Sequence, residues 1–317
     1  MRSVLLGLDL GGTNIKGVLL DYNTLKIVHR LQVPTAAMRG AVAVIGTMAE
    51  AVRELREWAA SNKMKVKSIG IGSAGLVNGG TVRNSPNLPG WQGAVPLERL
   101  LKMELGRLNI PLLIDNDANC FVLAEAFCGA AKGFQYVVGL TMGTGVGGGI
   151  VVGGKLYRGA TGGAGELGHT SIKYDGPRCL CGNRGCLEAI VGANAIIARY
   201  GALNSKFKIQ NSKFTVADIS ARARKGEPAA TKTLAQTGTL LGVGLANYVN
   251  IFNPQAIVIG GGVAQAGKYI LDPAIKEMKQ RAMPFNVLKV KVKAAKLGPW
   301  AGAIGAALLN EQGVTLK

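Results

Sequence analysis

The chain has 317 residues, of which 48% are hydrophobic and 17% charged, with 46 glycines and a formal net charge of +19. That composition excludes a disordered chain and points to compact α/β structure with many tight turns, in a length that accommodates two domains. No apolar run approaches the ~18 residues that span a bilayer, so no membrane partner is expected.

The opening stretch, "MRSVLLGLDLGG", is a short apolar run that meets Asp9 and two glycines without a secretory cleavage pattern. It reads as a core strand, and a cytoplasmic protein is expected. The five cysteines are then thiols or metal ligands rather than disulfides. "IKGVLLDY" returns as a second strand around the turn Gly11-Gly12-Thr13-Asn14. Residues 40–61 have helical spacing, "VKSIGIGSAG" is a buried strand, and "PLERLLKMELG" is a short helix closed by Gly106. "IPLLID" is a strand that runs into the helix "DANCFVLAEAFCGA". "YVVGLTM" and "GGIVVGG" are two more strands. Residues 187–200, 215–225 and 228–250 have helical spacing, "AIVIGGGVA" reads strand–glycines–helix, and "AGAIGAALLN" is a closing helix. Strands joined as hairpins and strands alternating with helices imply a mixed sheet in each of two domains.

"GLDLGGTNIKGVLL" and "GLTMGTGVGGGIVV" echo one another: Gly7, Leu8, Gly11 and Gly17 fall on Gly139, Leu140, Gly143 and Gly149. Both read strand, glycine turn, strand, which implies a duplicated architecture. Glycine lets such turns approach a ligand, and successive N–H groups in them form an anion-binding nest. No Walker A pattern occurs, so each turn taken alone is equally a plain β-hairpin. Two turns together with "GGG" at 260–262 before a helix favour nucleotide binding. An acid beside phosphates needs a cation between them, so Asp9 is expected to partner Mg²⁺ through water.

Asp117 stands where a strand runs into a helix, in "LLIDNDANCF". It is either the helix N-cap or, in a crevice between two phosphate-binding halves, a base that takes a proton from a hydroxyl attacking the γ-phosphate. Asn116 would orient the sugar or the base. His169, Cys179, Cys181 and Cys186 form H-x₉-C-x-C-x₄-C in a polar, glycine-rich segment. Three thiolates and one imidazole suit a closed, structural tetrahedral Zn²⁺ site. Cys120 and Cys128 lie on an apolar helix and read as core residues. The Lys and Arg residues are scattered, with no dense run and no aromatic interleaving, so nucleic acid is not an expected partner. The charge reads as a solvated basic surface or as attraction for anionic substrates.

In order, "DLGGTNIK", "NLPGW", "DNDAN", "GTGVGGG", "GELGH" and "CLCGNRGCLE" resemble the motifs of the ROK family (repressors, open reading frames, sugar kinases), over essentially the whole chain. The resemblance implies the actin-like/hexokinase (ribonuclease H-like) fold, with two α/β domains around a deep cleft that takes ATP on one side and a sugar on the other. Residues 1–116 would form the smaller domain and 117–299 the larger one, with the zinc loop in the latter. A C-terminal helix within 300–317 would pack back on the first domain. Family repressors carry an N-terminal helix-turn-helix, for which this sequence leaves no room before its first strand, so the enzyme branch is expected over a sugar-sensing regulator.

By resemblance, His169 gives one ring nitrogen to zinc and presents the other to the sugar, while Glu166 and Glu188 accept from sugar hydroxyls. On residue type alone, Glu188 equally suits the first turn of a helix and Glu166 a surface acid. Gly75 and Asn87 match sugar-site positions. Gly12, Thr13, Thr141, Gly143, Thr144, Gly145 and Gly261 match the nucleotide loops, and Lys16 reaches phosphate or only solvent. The implied reaction is transfer of the γ-phosphoryl of Mg-ATP to the 6-hydroxyl of a hexose, in a homodimer or homotetramer. "NLPGW" and "GELGH" favour glucose, whereas "DNDANCF" also resembles the N-acetylglucosamine kinase branch. N-acetylmannosamine, mannose, fructose and allose are the other candidate acceptors, and polyphosphate is a candidate second donor.

Overall fold

The computed structural model describes residues 2–85, 88–204 and 214–312. The chain divides into two compact units. One comprises residues 1–135, 149–164 and 297–317, the other residues 136–148 and 165–296.

In the first unit, β1 (Arg2–Leu10) pairs antiparallel with β2 (Asn14–Asp21), and β2 with β3 (Ile27–Pro34). Helix α1 (Ala41–Ser61) carries the chain to β4 (Met64–Ser73), which lies parallel to β1. A small three-stranded sheet, β5 (Leu76–Asn78), β6 (Thr81–Arg83) and β7 (Ala94–Val95), precedes helix α2 (Leu97–Leu105). Strand β8 (Leu112–Asn116) then pairs parallel with β4 and leads directly into α3 (Asp117–Phe127). The five-stranded order is β3-β2-β1-β4-β8. The inward residues of β1 and β2 (Leu6, Leu8, Ile15, Leu19) are sealed by Met48, Val52 and Leu55 of α1, which recur at helical spacing.

After α3 come β9 (Val137–Met142), β10 (Val146–Val152) and β11 (Lys155–Leu156). The helices α4 (Leu187–Val191), α5 (Ala193–Leu203), α6 (Val216–Arg224) and α7 (Pro228–Phe252) follow. Strand β12 (Ala256–Gly260), helices α8 (Lys268–Arg281) and α9 (Pro284–Val287), strand β13 (Lys291–Ala294) and helix α10 (Ala301–Ala307) complete the chain. The second sheet has the order β11-β10-β9-β12-β13. Strand for strand it repeats the first, as the glycine echo predicts, and this is the actin-like, ribonuclease H-like fold.

Helix α10 groups with the first unit; residues 313–317 lie outside the described residues. It approaches the sheet so closely that only glycine fits: a Cβ on Gly7 would stand 2.0 Å from the Ala303 carbonyl oxygen, and one on Gly70 1.7 Å from that of Ala306. Gly305 does the same on the other face, 1.7 Å from the Cys120 carbonyl oxygen of α3. This packing groups α3 with the first unit, so the first passage of the chain between the units falls after Gln135 and not at 116/117. Buried Glu125 of α3 fastens the same region, accepting from the Ala130 N–H at 2.7 Å and the Leu297 N–H at 2.9 Å. Among the described residues no helix is long and apolar enough to cross a membrane.

Candidate active site and metal cluster

In the first unit the chain turns from β1 to β2 through Gly11-Gly12-Thr13. The Gly11 N–H donates to the Asn14 carbonyl at 3.1 Å. Buried Thr35 fixes the turn from outside, its hydroxyl on the Gly11 carbonyl at 2.6 Å and its N–H on that of Thr13 at 2.9 Å. Among the described residues the N–H groups of Gly12 and Thr13 donate to nothing, which leaves two adjacent donors for an anion. Asp9 lies opposite Lys16 across the β1–β2 ladder. A Cβ on Gly302 of α10 would stand 2.7 Å from the Asp9 carboxyl carbon, so the glycine makes room for the acid. Burial pushes the Asp9 carboxyl up to about 6; the Asp117 carboxylate adds to the rise and Lys16 opposes it. The Lys16 ammonium donates to the Pro299 carbonyl at 3.0 Å.

Asp117 is the first residue of α3, and the cap of that helix is Asn116. The Asn116 side-chain oxygen accepts from the N–H groups of Ala118 at 2.8 Å and Asn119 at 3.2 Å, while its amide donates to the Gly75 carbonyl at 3.0 Å. Of the two roles open to Asp117, the cap is therefore taken by its neighbour. Its own Oδ1 accepts from the N–H of Ala118, at 2.9 Å. Burial raises the Asp117 carboxyl, and the nearby N–H groups partly offset the rise. Gly75, whose carbonyl holds Asn116, has a φ of +105° that a side chain would strain. Asn87 lies outside the described residues.

In the second unit β9 turns to β10 through the matching glycine segment, closed one residue tighter. The Gly143 N–H donates to the Gly145 carbonyl at 2.9 Å, and the Gly143 carbonyl accepts from Ala193 at 2.9 Å. Thr141 closes β9, and Thr144 lies at the apex of the turn. The N–H of Val146, next after Gly145, donates to Glu188 Oε2 at 3.0 Å. Glu188 does lie in the first turn of α4, as its residue type suggests, yet its carboxylate also braces this glycine turn. Gly261, with φ +87°, leaves β12 so close to Met142 that a Cβ would stand 2.2 Å from the Met142 carbonyl oxygen.

The four predicted metal ligands converge in this unit. The ligand atoms of His169, Cys179, Cys181 and Cys186 all lie within 4.8 Å of one another. Cys179 Sγ is 3.6 Å from His169 Nδ1, and Cys181 Sγ is 3.6 Å from Cys186 Sγ. Ligands at ~2.3 Å from a tetrahedral zinc stand about 3.8 Å apart, so these spacings fit a single ion between them. The loop is shaped for it: at Gly185, with φ +67°, a Cβ would stand 1.6 Å from the Lys173 carbonyl oxygen. With Nδ1 toward the thiols, His169 Nε2 faces Glu166, whose Oε2 is 3.9 Å away, while Glu188 Oε1 is 4.0 Å from Nδ1. Tyr248 of α7 braces the turn, donating to the Leu167 carbonyl at 2.5 Å. Burial pushes that phenol up to about 12, so it remains a donor.

A sequence model described as the ROK family matches residues 5–313. The chain belongs to the ROK family. It is 36% identical to the glucokinase of Thermotoga maritima over 318 residues, covering 97% of each chain. Among solved structures it resembles the ROK hexokinase of Thermus thermophilus, with a TM-score of 0.80, 33% identity and coverage of 96% of this chain and 97% of that one. It also resembles the ROK glucokinase of Streptomyces griseus in complex with glucose and AMPPNP, with a TM-score of 0.75, 31% identity and coverage of 96% and 98%.

One functional group escaped the sequence reading. Asp115, buried between Asn116, Asn119 and Arg158, lies two residues before Asp117. Its only local signal is an acid at the end of an apolar strand.

Proposed function

We propose that this ROK family member is an ATP-dependent hexose kinase that phosphorylates the 6-hydroxyl of glucose, with Asp117 as general base. The observation that carries the assignment of the base is the release of Asp117 from the capping role. Asn116 holds the helix N-terminus, leaving a carboxylate whose proton affinity is raised by burial. A base that accepts a hydroxyl proton in flight needs such a raised affinity. The free N–H pair of Gly12 and Thr13 and the glycine turn at Gly143–Gly145 would hold phosphate oxygens, and Asp9 would meet, through water, the magnesium that arrives with ATP. Glu166 and His169 Nε2 take sugar hydroxyls, as does Glu188 with its oxygen nearer His169. Gly75, Asn87 and Asn116 are further candidates for contacts to the sugar, on the family resemblance alone. Lys16 assists through Asp9 rather than at phosphate, since its ammonium is held on Pro299.

His169, Cys179, Cys181 and Cys186 would hold a structural zinc. When bound it fixes the tautomer and the orientation of His169, so that Nε2 is presented to the sugar in one state.

The test is ADP release, with and without sugar, at saturating Mg-ATP. The panel is glucose, mannose, fructose, allose, N-acetylglucosamine and N-acetylmannosamine. Glucose is expected to give the highest kcat/KM, and a higher value for any other sugar overturns the choice of acceptor but not the kinase. Asp117→Asn is expected to keep sugar affinity and lose at least roughly 10²-fold in kcat. Near-normal turnover in that variant removes Asp117 from the role of base.

A further inference from the structure

Asp115 is a carboxylate of which only 4% of the residue is exposed, and each of its oxygens has a partner. Oδ1 accepts from the Asn116 N–H at 2.8 Å and from Asn119 Nδ2 at 2.8 Å. Oδ2 accepts from Arg158 Nε at 2.6 Å. Both asparagines belong to the start of α3. Asn116 caps the helix and grips Gly75, and Asn119 offers its N–H to that cap. Asp115 therefore holds the backbone and side chains on either side of Asp117.

Among the described residues Arg158 is the one cation that pairs with Asp115. It comes from far along the chain, in the loop after β11, and that loop is itself fixed. Arg158 Nη1 donates to Gln312 Oε1 at 3.3 Å, and the same oxygen accepts from the Leu156 N–H at 3.2 Å. The Arg158 carbonyl accepts from Ala164 at 3.1 Å. Gly162, with φ +82°, presses on β5 so closely that a Cβ would stand 2.5 Å from the Val77 carbonyl oxygen.

We propose that Arg158 is a positioning residue for phosphoryl transfer, acting through Asp115 to keep Asn116, and with it Asp117, in the orientation the transfer requires. The inference rests on the reading of Asp117 as the base. Without the guanidinium, Asp115 is a buried charge with two N–H partners and no counter-charge. Such a group relaxes by turning toward water or toward another donor. Either movement releases Asn116 or Asn119, and so shifts the first turn of α3. Displacement of a reacting group by about 1 Å is enough to cost ~10²-fold in rate. Among the described residues the two glycine turns have no hydrogen bond to this network, so nucleotide affinity should be left alone.

The experiment compares Arg158→Ala, Arg158→Lys, Asp115→Asn and the double variant Arg158→Ala/Asp115→Asn, with Asp117→Asn alongside. Turnover is corrected for the folded fraction by thermal unfolding, and a non-hydrolysable ATP analogue is titrated by calorimetry. Arg158→Ala is expected to lose roughly 10- to 100-fold in kcat, with analogue affinity within about twofold of the parent. Arg158→Lys, which keeps the charge, recovers part of the loss. Millimolar methylguanidinium raises kcat of Arg158→Ala and not of the parent. The double variant is no slower than Asp115→Asn alone, because both changes cut the same link. Parental kcat in Arg158→Ala, additive losses in the double variant, or a deficit that vanishes after correction for folding each overturn the proposal. If Asp115→Asn fails to fold, the lysine and methylguanidinium arms decide alone. Parental kcat in Asp117→Asn overturns the base itself, whereas a dead Asp117→Asn beside a normal Arg158→Ala overturns only the role of Arg158.

Discussion

Asp9 and Asp117 are two acids on one strand-and-helix framework, and burial raises the proton affinity of both. For Asp9 this has a consequence for stability that can be signed. Its folded value, about 6, lies above the ordinary carboxylate value of 3.8. Its contribution is fully present below the unfolded value, where both states hold the proton. That contribution is lost as pH rises through 6, because the unfolded chain ionises more readily. The carboxylate is half-buried, so water relieves part of the penalty; what remains at neutral pH is on the order of 2 kcal/mol. Asp9→Asn is therefore expected to raise Tm by several degrees at pH 8, without magnesium or nucleotide, and to leave it unchanged at pH 4. A variant no more stable than the parent at pH 8 contradicts the assignment of strain to this acid. The residue scale is also where the sequence was most and least legible. The His169–cysteine cluster was readable because its three cysteines lie within eight residues. Arg158 was unreadable because its partner is 43 positions away and neither residue has a local pattern that announces a pair.

At the scale of elements, the buried strands and the long helices were legible, and the half-exposed elements were not. Strand β3 has no buried residue along "IVHRLQVP" and alternates half-buried and exposed from Arg30 on, so it lacks the apolar run that marks β1 or β4. Strand β13 is a short lysine-bearing edge, equally silent. The helical spacing at 187–200 hides a break: Gly192 adopts an extended ψ of 162° and separates α4 from α5. Helix α8 carries Pro273 inside it, which masks the pattern. On the proposed reading, the order of the loop that carries His169 and the three cysteines depends on a bound metal. Cys181→Ser is expected to lower zinc content and sugar affinity together, read by metal analysis and by sugar titration of the same sample. Loss of metal with parental sugar affinity would show that the loop holds His169 without it. Helix α10 depends on shape alone. Gly305→Val puts a side chain where the α3 backbone stands, 1.7 Å from a Cβ. A rigid overlap of this kind is expected to cost about 3 kcal/mol or more, seen as a lowered urea midpoint. Sugar binding per folded molecule should be retained.

The whole molecule is a duplicated plan with an asymmetric load. Each sheet has the same strand order, and each presents a glycine turn after its first strand. The duplication was legible because the turn chemistry is local and repeated. What surrounds the turns was legible where a local motif carries it, as with Asp9, Asp117 and the cysteine-rich loop, and not where the partner is remote, as with Arg158. One property belongs to neither unit separately: the net charge of +19, from 37 basic and 18 acidic side chains. Much of it stands on exposed lysines and arginines scattered over both units, with no dense run that would define a site. A field of that sign attracts ATP and screens with salt over a distance of ~10 Å at 0.1 M. It acts on encounter and not on the bound complex, where transfer depends on groups already in contact. Raising NaCl from 20 to 500 mM is therefore expected to lower kcat/KM for Mg-ATP several-fold and to change kcat by less than about twofold. The neutral sugar is the internal control: its kcat/KM at saturating Mg-ATP should hardly move. Equal salt sensitivity for sugar and nucleotide would assign the effect to the fold or to specific ion binding. A flat response for both would leave the basic surface to solubility alone.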